Sequence, residues 1–201
     1  MSLEEILKKH NIPNKTEFFA TTSYKFKSDI LDNFSSSIDK VFIEFGTSRG
    51  YTSAFASELF KTVHTVNYDR GNYNNRDIKA QNYLNKIDNV NQHWFDLYNT
   101  SFDFILNNLG KGDVFLSDAQ HTTNAVIIDT KLAKHLSNDN SYIVYDDYGL
   151  YKGIRKAVEI LVEDKVIEII KFIGEEKEWQ FDSRSRQRVL QDREGVICKI
   201  L

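Results

Sequence analysis

Val41-Phe42-Ile43-Glu44-Phe45-Gly46-Thr47-Ser48-Arg49-Gly50-Tyr51-Thr52-Ser53 is the stretch that decides the fold. A short β-branched and aromatic run ends in an acid, two glycines follow, and a helical pattern begins at once. In an open α/β sheet, ligands bind beyond the carboxyl ends of the strands, and the first strand–helix turn carries the cofactor. Gly46 lets the backbone turn tightly, and Gly50 lets the helix start close to a ligand. This is not the glycine-rich loop that cradles phosphates, because no Lys follows Gly50. Nor is it the dinucleotide fingerprint, because Ser48 stands where that motif needs its middle glycine.

Outward from this turn, short strand patterns alternate with longer helical ones. Strands are expected at Thr62–Tyr68, Val90–Phe95, Asp113–Ser117, Ser141–Tyr145, Val166–Phe172 and Gly195–Leu201, after the first at Val41–Phe45. Helices are expected at Thr52–Phe60, Arg76–Lys86, Thr100–Leu109, Thr122–Leu136 and Gly153–Glu163. Such alternation implies βαβ units and right-handed crossovers, hence an α/β fold with a Rossmann-like, doubly wound, seven-stranded and mainly parallel sheet. The segment from Gly174 to Glu194 is too polar for a crossover helix, so the last two strands form a C-terminal antiparallel hairpin. Residues 1–39 precede the sheet as a helical or cap segment, and residues 40–201 form the cofactor domain. Ser2 and Glu5 have the form of a capping box for a first helix, which Pro13 ends. A second helix is expected from Ser28 through Ile38. The Asn-rich patches (Asn72, Asn74, Asn75; Asn138, Asn140) read as turns or solvated ends.

Composition bounds the function. The chain has 201 residues, 26 Lys+Arg against 29 Asp+Glu, and a net charge of −3. That suits one folded domain, and the near-neutral balance argues against a dedicated nucleic-acid or anionic-membrane binder. Met1–His10 lacks a hydrophobic signal region, no run of about 18 apolar residues occurs, and the expectation is a cytoplasmic protein. The single Cys198 forbids an intrachain disulfide and reads as a small buried hydrophobe.

The second strand ends at Asp69, where an acid can take both hydroxyls of a ribose. An acid, two glycines and a second-strand acid together suit an adenosine-containing cofactor without phosphates. Two later strands also end in acids, at Asp118 and at Asp146-Asp147. A parallel sheet delivers all three to the edge that carries Gly46. Carboxylates so close repel one another, so a cation or a shared proton belongs between them. Oxygen ligands favour a hard divalent ion, Mg²⁺ first, which lowers the pKa of a bound substrate hydroxyl. His121, three residues past Asp118, has an imidazole suited to act as general base. The plainer alternatives are that Asp118 or His121 caps the helix near Thr122, and that Asp147 caps a turn.

On the Glu44-Phe45-Gly46…Gly50 motif, Asp69, the strand order and the terminal hairpin, the chain resembles the class I S-adenosylmethionine-dependent methyltransferases. The resemblance covers roughly Val41 to Leu201. It implies that Glu44, Gly46, Thr47, Ser48 and Gly50 face the amino-acid part of S-adenosylmethionine, with Asp69 at the ribose and Asp96 and Leu97 near the adenine. The acids resemble those of the metal-dependent O-methyltransferases of the catechol and macrolide-sugar types. That likeness implies Asp118, Asp146 and Asp147 as metal ligands, Asp118 also beside the cofactor, and Asp118 and His121 as the catalytic pair. Relatives of this type often carry Gly-Asp where Ala119-Gln120 stands here, which alters the site.

The expected reaction is methyl transfer to a hydroxyl of a small metabolite, with a homo-oligomer left open. Pro13 is the only proline. The (Asp/Asn)-Pro-Pro-aromatic motif of nucleobase-amine methyltransferases is therefore absent after the fourth strand. The alternatives are a non-catalytic cofactor-binding or assembly module, and a metal-independent methyltransferase with His121 as base. Arg184, Arg186, Arg188 and Arg193 read as a solvated hairpin, and His10, His64, His93 and His135 as structural or surface residues. By the same methyltransferase likeness Phe18, Phe19, Tyr24 or Phe26 would cover the substrate; the alternative is that this aromatic segment packs against the sheet edge.

Overall fold

The computed structural model describes residues 1–13, 21–68, 75–176, 180–182, 187–189 and 193–201, with backbone alone at 75–76, 180–182 and 187–189. Strands β1 (Val41–Phe45), β2 (Thr62–Asn67), β3 (Val90–Trp94), β4 (Gly112–Ser117), β5 (Ser137–Tyr145), β6 (Ile167–Glu176) and β9 (Arg193–Ile200) form one sheet of order β3-β2-β1-β4-β5-β9-β6. β1 to β5 pair in parallel, while β9 runs antiparallel to both β5 and β6. Two short strands, β7 (Gln180–Asp182) and β8 (Gln187–Val189), pair as a separate ribbon. The α/β architecture and the antiparallel C-terminal hairpin are those the sequence predicts.

Side chains alternate across this sheet, because successive residues of a strand face opposite ways. Phe42, Val63, Val114, Leu116, Val144 and Ile197 belong to one core cluster, with α1 (Leu3–Lys9), α2 (Tyr24–Phe34), α3 (Tyr51–Ala56) and α4 (Asn75–Leu84). Ile43, Phe45, Phe115, Ile143, Tyr145 and Cys198 belong to the other, with α5 (Phe102–Leu109), α6 (Thr123–Leu136) and α7 (Lys152–Glu163). Burying a side chain of that size contributes about 1.5–3 kcal/mol. Cys198 is indeed buried, which pushes its thiol up to about 12.

Most element ends agree with the sequence reading to within a residue or two. Three do not. The second helix is Tyr24–Phe34 instead of Ser28–Ile38: Ser23 caps it by accepting from Phe26 N, and the Ser23 backbone donates to Glu194 of β9 at 2.8 Å. The helix after the first turn stops at Ala56, short of Phe60. β5 starts at Ser137, so Asn138 and Asn140 lie in its solvated first half. The capping box of α1 is present in full. Phe26 is buried in the core and Tyr24 bonds Glu4, while Phe18 and Phe19 lie outside the described residues. Arg193 pairs with Glu176 at 2.9 Å, and the side chains of Arg184, Arg186 and Arg188 lie outside the described residues. Among the described residues, no helix is long and apolar enough to cross a membrane.

α2 is locked onto the sheet at Gly195. A Cβ there would lie 2.5 Å from Phe26 Cε2 and 2.7 Å from the Tyr145 carbonyl oxygen. Gly195→Ala is therefore expected to cost about 1–3 kcal/mol through overpacking. In a chain of this size each kcal/mol is worth about 2–4 °C of melting temperature. Thermal unfolding followed by circular dichroism reads this directly, and an unchanged midpoint would mean that α2 is not held there.

Candidate functional site

The sheet order reverses between β1 and β4: β2 and β3 follow on one side of β1, β4 and β5 on the other. A crevice opens at such a switch point, at the carboxyl ends of the strands. The turn after β1 and the loop after β4 meet there. Asp118 N donates to Phe45 O at 2.9 Å. A Cβ on Gly46, whose φ is +107°, would run into the Asp118 carbonyl and lie 2.9 Å from Ala119 Cα. Gly50, with φ +80°, leaves space that Leu84 of α4 fills. Both glycines thus serve the packing of chain on chain, a reason the sequence alone does not reveal.

The other residues expected around the cofactor divide. Thr47 is buried, and its hydroxyl shares a 2.7 Å hydrogen bond with that of Thr65. Ser48 sits in the turn itself with φ +46°. Glu44 lies under the turn, almost fully buried, and accepts from the Ser53 hydroxyl and from Thr65 Oγ1 at 2.7 Å. Asp96 closes its own loop, accepting from Tyr98 N at 2.9 Å and Asn99 Nδ2 at 2.6 Å, and Leu97 is buried beside it. Asp69 lies outside the described residues.

Asp118, His121 and Asp147 come together on the other side of the crevice. Each offers one ligand atom, and the three atoms lie within 4.8 Å of one another. His121 Nε2 stands 3.7 Å from Asp118 Oδ1 and 3.6 Å from Asp147 Oδ2. Asp146 is buried next to them, its Oδ1 accepting from Asp147 N at 2.8 Å. The plainer roles divide: the helix cap falls to another residue, while the turn does fall to Asp147. Thr122 caps α6, accepting from Ala125 N, and the turn after Asp147 is closed by that residue's backbone oxygen, which accepts from Leu150 N and Tyr151 N. Burial pulls the His121 imidazole down, but the Asp118 and Asp147 carboxylates outweigh it and hold the ring above its ordinary value.

A methyltransferase-domain profile matches residues 43–148, more than half of the chain. The chain belongs to this methyltransferase family. Its motifs are those of the class I, S-adenosylmethionine-dependent type. Among solved structures, the methyltransferase is similar to an O-methyltransferase from Bacillus cereus in complex with SAH, at 17% identity and TM-score 0.66 over 99% of this chain and 90% of that one. The O-methyltransferase TomG from Streptomyces achromogenes, involved in tomaymycin synthesis and in complex with SAM, gives 15% and 0.63 over 99% and 87%. Fibrillarin from Aeropyrum pernix, with natively bound S-adenosyl-L-methionine, gives 11% and 0.56 over 82% and 68%. At these identities the likeness is one of fold. No curated protein sequence matches the chain.

Four residues of the methyltransferase site escape sequence reasoning. Tyr151 stacks on His121, with ring centroids 4.3 Å apart and planes 9° from parallel. Gly153 lets the start of α7 approach the His121 carbonyl, and a Cβ there would lie 3.1 Å from Thr123 N. Asp129 is fully buried on α6 and accepts from Ser117 Oγ at 2.7 Å. Burial pushes it up to about 7, against the pull of the Ser117 and Tyr98 hydroxyls and of His121. An acid in the apolar run Ala125-Val126-Ile127-Ile128-Asp129 was the visible signal for that one. Tyr98, half-buried and pushed upward, faces Asp129 electrostatically. His64 and His93 bond each other at 3.0 Å, His10 bonds Glu58 at 2.7 Å, and His135 pairs with Asp103 at 3.2 Å.

Glu44 supplies a pH test. Burial pushes its carboxyl from 4.5 up to about 8, although the Ser53 and Thr65 hydroxyls pull it down. The folded chain therefore keeps a proton that the unfolded chain releases, so stability is full below about pH 4.5 and falls as pH rises towards about 8. Glu44→Gln should flatten that decline in melting temperature between pH 5 and 9, and Asp129→Asn should flatten its lower part. An undiminished slope in Glu44→Gln would show that the carboxyl is already ionised in the fold.

Proposed function

We propose that this methyltransferase transfers the methyl group of S-adenosylmethionine to a hydroxyl of a small metabolite, with a divalent ion held by Asp118 and Asp147 and with Asp146 as the adjoining carboxylate. The observation that carries this reading is the meeting of Asp118, His121 and Asp147 within 4.8 Å at the edge where the Gly46 turn opens. The donor set is rich in oxygen, which suits a hard divalent cation. Such an ion supplies charge that lowers the pKa of a bound hydroxyl. The turn from Glu44 through Gly50 is the seat for the amino-acid part of the cofactor, with Asp69 at its ribose and Asp96 and Leu97 towards its base. The chain's own work is orientation: the β4 and β5 loops set the acceptor oxygen in line with the donor methyl.

The acceptor chemistry rests on the same residues. The loop after β4 reads Asp118-Ala119-Gln120-His121, with no proline for a nucleobase-amine site, and three carboxyl groups suit a polyol or catechol better than an anion. A second reading, favoured by the position of His121 between the two carboxylates, is metal-independent removal of the hydroxyl proton by the imidazole.

Calorimetric titration should give one S-adenosylmethionine per chain. With a panel of catechols and sugars as acceptors, Asp147→Ala should leave cofactor affinity within about threefold and lower turnover by about 10²-fold or more. EDTA should do the same, reversibly by Mg²⁺. Turnover indifferent to EDTA would favour the second reading, and failure to bind the cofactor would sink both.

A further inference from the structure

His121 Nε2 is shut off from solvent and makes no hydrogen bond. Its separations of 3.7 and 3.6 Å from Asp118 Oδ1 and Asp147 Oδ2 are too long for one, since N–H···O bonds span about 2.7–3.2 Å. They fall between the two separations that ligands of a common ion adopt, within a few tenths of an ångström of adjacent corners. With bonds of about 2.1 Å, donor atoms on adjacent corners of a coordination shell lie about 3.0–3.4 Å apart, and those on opposite corners about 4.2 Å. The ring is also held in place before any ligand arrives. Tyr151 covers one face in parallel stacking, and Gly153 lets the start of α7 press on the His121 backbone. The edge carrying Nε2 is thus presented to two carboxylates that come from two different loops.

We infer that His121 is itself a ligand of the ion, alongside Asp118 and Asp147, and not the base that takes the acceptor's proton. This rests on the metal reading above. An imidazole whose lone pair is given to a metal has none left for a proton. It also changes which metal the site prefers. Three carboxylates alone suit Mg²⁺, whereas one imidazole with two carboxylates moves the preference towards Mn²⁺, Fe²⁺ or Zn²⁺. Tyr151 is then a positioning residue: it fixes the plane of the ligand ring, as the outer partners of metal-bound histidines do.

The test uses the full chain loaded with Mn²⁺. Pulsed electron paramagnetic resonance should show nitrogen modulation from a directly bound imidazole. Labelling with ¹⁵N-histidine should shift that modulation to the ¹⁵N frequency, with no variant needed. His121→Gln should abolish it and weaken Mn²⁺ binding roughly tenfold or more, and Asp147→Asn should also weaken binding, which assigns the ion to this site. Bound Mn²⁺ without nitrogen modulation, or modulation that survives in His121→Gln, overturns the inference and leaves the metal reading standing. No Mn²⁺ bound at all overturns the metal reading and this inference with it.

Discussion

The site depends on one close approach, that of the β1 turn to the β4 loop. Asp118 N reaches back to the last carbonyl of β1, and Gly46 has no side chain because the Asp118–Ala119 backbone occupies that space. Two loops that bear different chemistry are thereby locked to each other by main-chain packing. The turn suited to a cofactor cannot shift without moving Asp118, and Asp118 cannot shift without opening the turn. Reactions that depend on alignment of donor and acceptor need this kind of rigid coupling, since small misplacements cost large factors in rate.

Around that contact the charges are sorted by burial. Glu44 and Asp129, inside the protein, are pushed towards the neutral form, while Asp118 and Asp147 are partly open at the crevice. Neutral acids can lie under the site without adding to its negative field, and they act there as hydrogen-bonding struts: Glu44 to α3 and β2, Asp129 to the end of β4. Negative charge is left where a cation can meet it. The stability that these two protonated acids contribute is greatest on the acid side of neutrality.

Sheet and carboxylates were legible in the sequence because local patterns encode both. Val41–Phe45 and Thr62–Asn67 announce themselves by short runs of β-branched and aromatic residues, and parallel strands bring their ends to one edge whatever the loops do. The start of α2 was not legible, since the Ser23 backbone is satisfied by Glu194, 171 residues away. Nor was the setting of His121. Its stacking partner Tyr151 belongs to a different loop, and Gly153 to the next helix. The tight turn at the first two glycines was legible, and their positive φ values bear it out; only the fold shows which neighbouring chain fills the space beside them.

β9 pairs with β5 on one side and β6 on the other, although it is the last of this sheet's strands in sequence order. A sheet closed by the last of its strands in sequence order cannot be completed while residues 193–200 are still being synthesised. Until then Ile143 and Tyr145 of β5, and Phe26 of α2, lack the surface against which they end up buried. From the completion of β5 until β9 emerges, the nascent chain carries an open, apolar sheet edge, which is the state that chaperones recognise and that aggregation exploits. Insertion of β9 then closes the core, docks α2 and sets the loop after β5 in a single event.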